Sequence, residues 1–325
     1  AMLAVGQGRY RLDGVPRMRQ RPIADLLDAL RQLGADVVSE SNNGCPPVIV
    51  NAHGLHGGTA HVRASISSQF LSGLLMAAPY AQHNVELCID GEMVSQPYVE
   101  MTLAVMESFG VAVPRDGLDR FCIPAGTKYR GRQYAIEPDA SAASYFWGAA
   151  AIAGGEVTVQ GLTRSSLQGD VAFVDCLEKM GCQVQSAADC ITVRGGKLRG
   201  IDVNMNAISD TVQTLAVVAL FADGATTIRD VAHIRHKETD RIGDLARELR
   251  KLGATVDETD DGLRIIPGPL RAAVIETYDD HRMAMSLALA GLRVPGVTIL
   301  NPRCTEKTYP HFFDDLRTVT TRSGR

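Results

Sequence analysis

The sequence predicts an α/β protein of two domains built from repeated units, and three recurrences carry that expectation. Four segments end alike (LRQLGADV, VMESFGVAV, LEKMGCQV and LRKLGATV), with Gly34, Gly110, Gly181 and Gly253 spaced 76, 71 and 72 residues apart. Five short strand-like stretches (RYRLDG, NVELCIDG, EVTVQG, TTIRDV and VTILNP) recur at nearly the same interval. Four more stretches are apolar on almost every face behind a polar start: SISSQFLSGLLMAAPYA, DASAASYFWGAAAIAGG, SDTVQTLAVVALFADG and DDHRMAMSLALAGLRVPG. Such a helix belongs in a core, and a single unit cannot bury it alone, so the units must associate.

Taken in order, the opening AMLAVGQG matches the tails LFADG and AAIAGG, and it reads as the end of a buried helix whose polar start is missing. RYRLDG follows as a strand, and GVPRMRQRPI is a polar loop leading into a helix. That helix carries Ile23, Leu26, Leu30 and Leu33 at spacings of three and four, and closes at Gly34, a residue able to take the positive φ of a helix end. The order then repeats: buried helix, strand, loop, amphipathic helix, glycine, strand. In the fourth copy the stripe is Ile242, Leu245, Leu249 and Leu252. Pro22, Pro97 and Pro310 stand close to helix starts, where a missing N–H costs nothing. Counting units on either side of YAIEPDASAASYF gives an N-terminal domain over 1–137, two units plus a helix tail, and a C-terminal domain over 138–325 with most of three units.

Composition narrows the function. The 325 residues carry a formal charge of -4, which argues against a general nucleic-acid binder. No apolar run approaches the ~18 residues that span a membrane, and no secretory signal pattern opens the chain. Seven scattered cysteines with no CxxC pair read as reduced thiols, placing the protein in the cytoplasm, with neither a disulfide frame nor a zinc site. Neither the consecutive Asp279-Asp280-His281 nor the trio His53, His56 and His61 offers a converging ligand set, so no metal is expected.

The polar residues gather at the junctions between units. The buried helices start at Ser67-Ser68-Gln69, Asp139, Asp210 and Asp280-His281-Arg282. The loops before the amphipathic helices carry Arg17, Arg19 and Arg21; Ser95, Gln96 and Tyr98; Arg235, Lys237, Glu238 and Arg241; and Arg303 and Lys307. Helix starts present free N–H groups and a positive dipole end, both suited to anions. Each motif alone reads as a plain N-cap or a solvated charged face. Their recurrence in register points instead to a cationic region, inside an acidic protein, that gathers a small, multiply charged anion.

GVPRMRQRPI, SISSQF, VSQPY, HKETDR, DDHRMAM and NPRCTEKTYP, in that order on these repeats, closely resemble the 5-enolpyruvylshikimate-3-phosphate synthase family over essentially the whole chain. The resemblance implies an inside-out α/β barrel of two domains that closes over its substrates. It implies transfer of the enolpyruvyl group of phosphoenolpyruvate to the 5-hydroxyl of shikimate 3-phosphate with release of phosphate, no cofactor, and competition by glyphosate. By the same resemblance Ser67, Ser68 and Ser95 cradle the 3-phosphate, while Gln69, Tyr98 and His233 contact the shikimate ring and its substituents. Arg21, Arg241, Arg282 and Lys307 hold phosphoenolpyruvate. Asp210 takes the hydroxyl proton beside Lys237, and Glu238 protonates the methylene carbon.

There are departures. The family's N-terminal Lys-Ser segment and Gly-Asn-Ala-Gly-Thr helix start do not occur, and His233 stands where the bacterial pattern has Asn. The repeat spacing makes the absent part roughly 100 residues. A separate chain supplying it, its removal, or its never having been made all fit the residues. The expectation is negligible transferase activity from residues 1–325 alone, restored by a segment supplied as a partner chain, in what is otherwise a monomer.

Overall fold

What ends each amphipathic helix is a backbone event. In the computed structural model, which describes residues 1–64 and 67–321, Gly34, Gly110, Gly181 and Gly253 take φ of 86°, 89°, 109° and 108°. A side chain there would pay for the left-handed conformation, so glycine closes the helix and turns the chain into the next segment. Ser65 and Ile66 of the SISSQF motif and residues 322–325 lie outside the described residues. The chain divides into two compact units, Ala1–Ala135 and Ile136–Arg325, each with its own apolar core.

The first unit runs β1 (Gln7–Leu12), α1 (Ala24–Gln32), β2 (Asp36–Ser39), β3 (Val48–His53), β4 (Gly58–Arg63), α2 (Ser68–Ala77), β5 (Val85–Asp90), α3 (Gln96–Ser108), β6 (Arg115–Asp116) and β7 (Arg120–Ile123). Its sheets have the orders β1-β3-β2 and β4-β5-β7-β6. The pairing of β4 with β5 is parallel, and α2 makes the crossover between them. The opening residues Met2–Val5 form a 3-10 turn with Ala4 buried and Met2 exposed. The strand expected directly after Gly110 is reduced to β6, which begins beyond Pro114, a residue with no N–H for a ladder.

The second unit repeats this plan. It runs α4 (Ala140–Ala153), β8 (Glu156–Gln160), α5 (Phe173–Met180), β9 (Gln183–Ser186), β10 (Cys190–Arg194), β11 (Asp202–Asn204), α6 (Val212–Ala219), β12 (Thr226–Arg229), α7 (Gly243–Lys251), β13 (Thr255–Thr259), β14 (Gly262–Ile266), β15 (Val274–Ile275), α8 (His281–Ala288), β16 (Thr298–Ile299) and α9 (Phe312–Thr321). The sheet orders β8-β10-β9 and β11-β12-β14-β13 reproduce those of the first unit, and β15-β16 is a third parallel pair. In each parallel pair an apolar helix makes the crossover: α6 between β11 and β12, α8 between β15 and β16. All eight residues of α6 are buried, as its unbroken apolar character requires. Ile242, Leu245, Leu249 and Leu252 are all buried, which makes the inward stripe of α7. Among the described residues no helix is long and apolar enough to cross a membrane.

One helix start differs from expectation, and the site depends on it. Asp139 and Asp280 cap α4 and α8, accepting hydrogen bonds from Ala142 N at 2.9 Å and Arg282 N at 2.8 Å. Asp210 stands 71 residues after the first and 70 before the second. It does not begin its helix in the same way: a 3-10 turn over Asn206–Thr211, with Ile208 in a non-helical conformation, precedes α6. The Asp210 carboxylate is thereby left to other partners.

Candidate active site

The partners are cations. Asp210 receives Arg241 Nη1 at 3.0 Å on one oxygen and Arg282 Nη2 at 2.8 Å on the other, with Lys237 Nζ 4.0 Å away. Arg241 is buried, and its one guanidinium reaches three carboxylates. Its Nε donates to Asp280 Oδ2 at 2.7 Å, its Nη1 to Asp210, and its Nη2 to Glu238 Oε2 at 2.8 Å. The planar, five-donor fork of arginine makes this arrangement possible, and lysine could not reproduce it. Glu238 is shared with Lys307, whose Nζ lies 2.5 Å from Oε1. Asp280 anchors the whole: fully buried, it caps α8 with one oxygen and holds Arg241 with both.

This cluster has unusual electrostatics. Burial pushes the Asp210 carboxyl upward, but Arg282, Lys237 and Arg241 outweigh it and hold the group well below the usual carboxylate range. For Glu238 burial likewise opposes ionisation, and Arg241 and Lys307 override it. Burial lowers Lys237, with Asp210 acting in the other direction. His233 and His281 are both brought down to about 4, chiefly by burial, so both rings are neutral at neutral pH. Four cations (Lys237, Arg241, Arg282, Lys307) face three carboxylates (Asp210, Glu238, Asp280), leaving a net positive site. An anion entering it must compete with Asp210 and Glu238 for the same donors.

The first unit holds the other candidate residues. Ser67 caps α2, accepting from Gln69 N at 3.2 Å, and Ser68 is buried in the first turn while Gln69 is exposed. Ser95 precedes α3 in a left-handed conformation, φ 54°, and is buried; Tyr98 is half-buried one turn on. A 2.8 Å hydroxyl contact between Ser72 and Thr102 ties α2 to α3. It lies about 6 Å along α2 from Ser68 and about 9 Å along α3 from Gln96, at 1.5 Å per residue. Arg21 is half-buried and donates to Met18 Sδ at 3.6 Å.

The cationic junctions are thus only partly gathered. Asp210, Lys237, Glu238, Arg241, Arg282 and Lys307 come together in the second unit, with His233 electrostatically coupled to Lys237 and Asp210. Three other junction arginines have local carboxylate partners: Arg19 pairs with Asp13 at 2.8 Å, Arg235 with Asp240 and Glu258 at 2.8 and 3.0 Å, and Arg303 with Glu306 at 3.4 Å. Two members of the site were not singled out as functional from the sequence. Asp280 could have been found from its spacing to Asp139 and Asp210. Tyr145, whose hydroxyl is 3.4 Å from Arg282 Nη1, gave no signal in the sequence. Among the described residues no group of three or more His, Cys, Asp or Glu could hold a metal ion, and His61 pairs instead with Asp90 at 3.0 Å.

Fold and site together define a repeat-built α/β protein whose second unit holds a partly buried cluster of four cations and three carboxylates. The chain matches the family described as EPSP synthase (3-phosphoshikimate 1-carboxyvinyltransferase) over residues 1–316. It is 51% identical over 314 residues to the 3-phosphoshikimate 1-carboxyvinyltransferase of Nostoc punctiforme, covering 96% of this chain and 74% of that protein. It is 54% identical over 328 residues to the chloroplastic enzyme of that name from Solanum lycopersicum, covering 97% of this chain and 63% of that protein. The solved EPSP synthase from Acinetobacter baumannii superposes with a TM-score of 0.77 at 25% identity, over 97% of this chain and 74% of that one. The chain belongs to the EPSP synthase family, whose reaction is transfer of the enolpyruvyl group of phosphoenolpyruvate to shikimate 3-phosphate.

Proposed function

We propose that this chain carries out that transfer with its labour divided between the two units, in an inside-out α/β barrel arrangement. The residue 136–325 unit binds phosphoenolpyruvate through Arg241, Arg282 and Lys307 and supplies the acid and base. The residue 1–135 unit binds shikimate 3-phosphate, with Ser67, Ser68 and Ser95 on the phosphate and Gln69 and Tyr98 on the ring, and Arg21 is a further candidate ligand for phosphoenolpyruvate. The observation that carries the reading is Asp210: an aspartate at a helix-start position that caps nothing and is held ionised by three cations.

The chemistry follows from that arrangement. Addition across the double bond needs a base at the attacking 5-hydroxyl and an acid at the methylene carbon; elimination of phosphate reverses both transfers. Asp210 is the base, with Lys237 beside it. Glu238 is the acid, and it must first gain a proton. The carboxylate and phosphate of phosphoenolpyruvate claim Arg241 and Lys307, the two cations that keep Glu238 ionised. Substrate binding therefore raises the affinity of Glu238 for a proton at the moment one is required. Fixed cations also stabilise the charge that develops on the departing phosphate. His233, neutral, serves the ring as a hydrogen-bonding group. Seven free thiols suit work in the cytoplasm.

Calorimetry separates the two halves of the reading. Ser68→Ala weakens shikimate 3-phosphate by about 10- to 150-fold, the worth of one charge-assisted hydrogen bond of about 1.5–3 kcal/mol. Arg282→Met leaves that affinity alone and weakens phosphoenolpyruvate titrated into protein saturated with shikimate 3-phosphate. Unchanged shikimate 3-phosphate affinity in Ser68→Ala, or unchanged phosphoenolpyruvate affinity in Arg282→Met, refutes the corresponding assignment.

A further inference from the structure

The three buried helices of the second unit each bring one hydroxyl to a common row. Ser144 of α4, Thr214 of α6 and Ser286 of α8 are 70 and 72 residues apart, the repeat interval, and all three are buried. Thr214 Oγ1 lies 3.2 Å from Ser144 Oγ and 3.1 Å from Ser286 Oγ. Counting protons gives the row a direction. Ser144 donates its one proton to the Ser141 carbonyl at 2.6 Å, so it accepts from Thr214. Thr214 has then spent its own proton and accepts from Ser286. The packing is close here: a Cβ on Gly148 of α4 would stand 2.9 Å from Thr214 Cγ2 and 3.3 Å from Leu289 Cδ1.

This row sits directly behind the acid–base cluster. Thr214 follows Asp210 by four residues, and Ser286 follows Arg282 by four. The Asp210–Arg282 pair at 2.8 Å joins the same two chain segments that the Thr214–Ser286 bond joins. A hydrogen bond is directional and sets the height of one helix against the other, whereas apolar contact alone leaves that sliding motion soft.

We infer that Thr214 is a positioning residue, whose hydroxyl fixes α6 against α8 and so sets the geometry of Asp210 and Arg282 toward phosphoenolpyruvate. The inference rests on the roles given above to those two residues. Thr214→Val keeps the shape and removes the hydroxyl; Thr214→Ser keeps the hydroxyl and removes a methyl group. In calorimetry, Thr214→Val weakens phosphoenolpyruvate, titrated at saturating shikimate 3-phosphate, by about fivefold to tenfold and changes shikimate 3-phosphate affinity by less than twofold, while Thr214→Ser stays within twofold of the unsubstituted chain for both. Because phosphoenolpyruvate is assigned to the same unit as Thr214, the division between the ligands locates the effect there, and retention in Thr214→Ser ties it to the hydroxyl. Phosphoenolpyruvate affinity unchanged in Thr214→Val, or lost equally in Thr214→Ser, overturns the inference. Should Thr214→Val not fold, Ser286→Ala removes the terminal donor alone and weakens phosphoenolpyruvate in the same sense; no change there overturns it too. The underlying reading fails separately: Arg282→Met with full phosphoenolpyruvate affinity sinks both, whereas loss in Arg282→Met with none in Thr214→Val sinks only the role of Thr214.

Discussion

Replacing Arg241 by methionine keeps most of the side-chain volume and deletes the charge on which the cluster is built. Three carboxylates then lose their common partner. Glu238 retains Lys307 at 2.5 Å and Asp210 retains Arg282 at 2.8 Å, but Asp280, fully buried, keeps no ion pair of comparable closeness among the described residues: His281 Nδ1 is 3.8 Å away and its ring is neutral at neutral pH. Removing one partner of a buried ion pair costs about 3–5 kcal/mol, because the remaining charge has neither water nor a counter-ion. For a unit of this size 1 kcal/mol moves the melting temperature by about 2–4 °C, so the expected fall is roughly 6–20 °C. Urea unfolding at neutral pH with calorimetric melting measures it. The origin of the loss is tested by Arg241→Met combined with Asp280→Asn, which keeps a capping side chain on α8 and removes the stranded charge. That double variant is more stable than Arg241→Met alone. A single-variant loss below about 1 kcal/mol, or no recovery in the double variant, refutes the claim that the cluster is held by one buried guanidinium.

Two further outcomes follow from the same charges. The second unit loses stability as pH falls, in two stages. His233 and His281 have folded values of about 4, below the unfolded value of about 6.5, so the unfolded chain takes up protons first and stability drops across that window. Asp210 and Glu238 are depressed below the unfolded carboxylate value of about 4, and their contribution drains away below it. Substituting both histidines by glutamine flattens the upper stage and leaves the lower one; an unchanged pH profile would contradict the assignment. In protein that turns over, followed as phosphate release, Asp210→Asn and Glu238→Gln each reduce the rate about 10²-fold or more relative to the same protein unsubstituted, with shikimate 3-phosphate affinity retained. Near-normal turnover in either variant removes that residue from its role.

The architecture was legible because it repeats. Four glycines at one interval mark four helix ends, and each takes the positive φ that only glycine adopts cheaply. The apolar stripes of α1 and α7 and the all-round apolar α6 needed no long-range information. The polar junction residues were legible as residue types, but not their pairing. Arg235 and Arg241 lie six residues apart in one loop; the first turns to Asp240 and Glu258, the second inward to Asp280, Asp210 and Glu238. Which arginine is buried depends on carboxylates 31 and 39 residues away in sequence, and no local pattern encodes that. The same limit hid the 3-10 turn before α6. SDTVQT reads as an ordinary capped helix start, and only the cations brought by α8 and the Arg241 loop give the Asp210 carboxylate a better use than capping.

On the proposed mechanism, phosphoenolpyruvate takes Arg241 and Lys307 from Glu238 and thereby loads the acid. Calorimetric titration of phosphoenolpyruvate at saturating shikimate 3-phosphate, repeated in buffers of different ionisation heat between pH 5 and 7, counts the protons exchanged on binding. Comparing the unsubstituted chain with Glu238→Gln removes the titration of phosphoenolpyruvate itself. The expected result is proton uptake that grows as pH is lowered and is missing in Glu238→Gln. Tight binding with the same proton count in both proteins would show that Glu238 stays ionised beside its cations, and would contradict the claim.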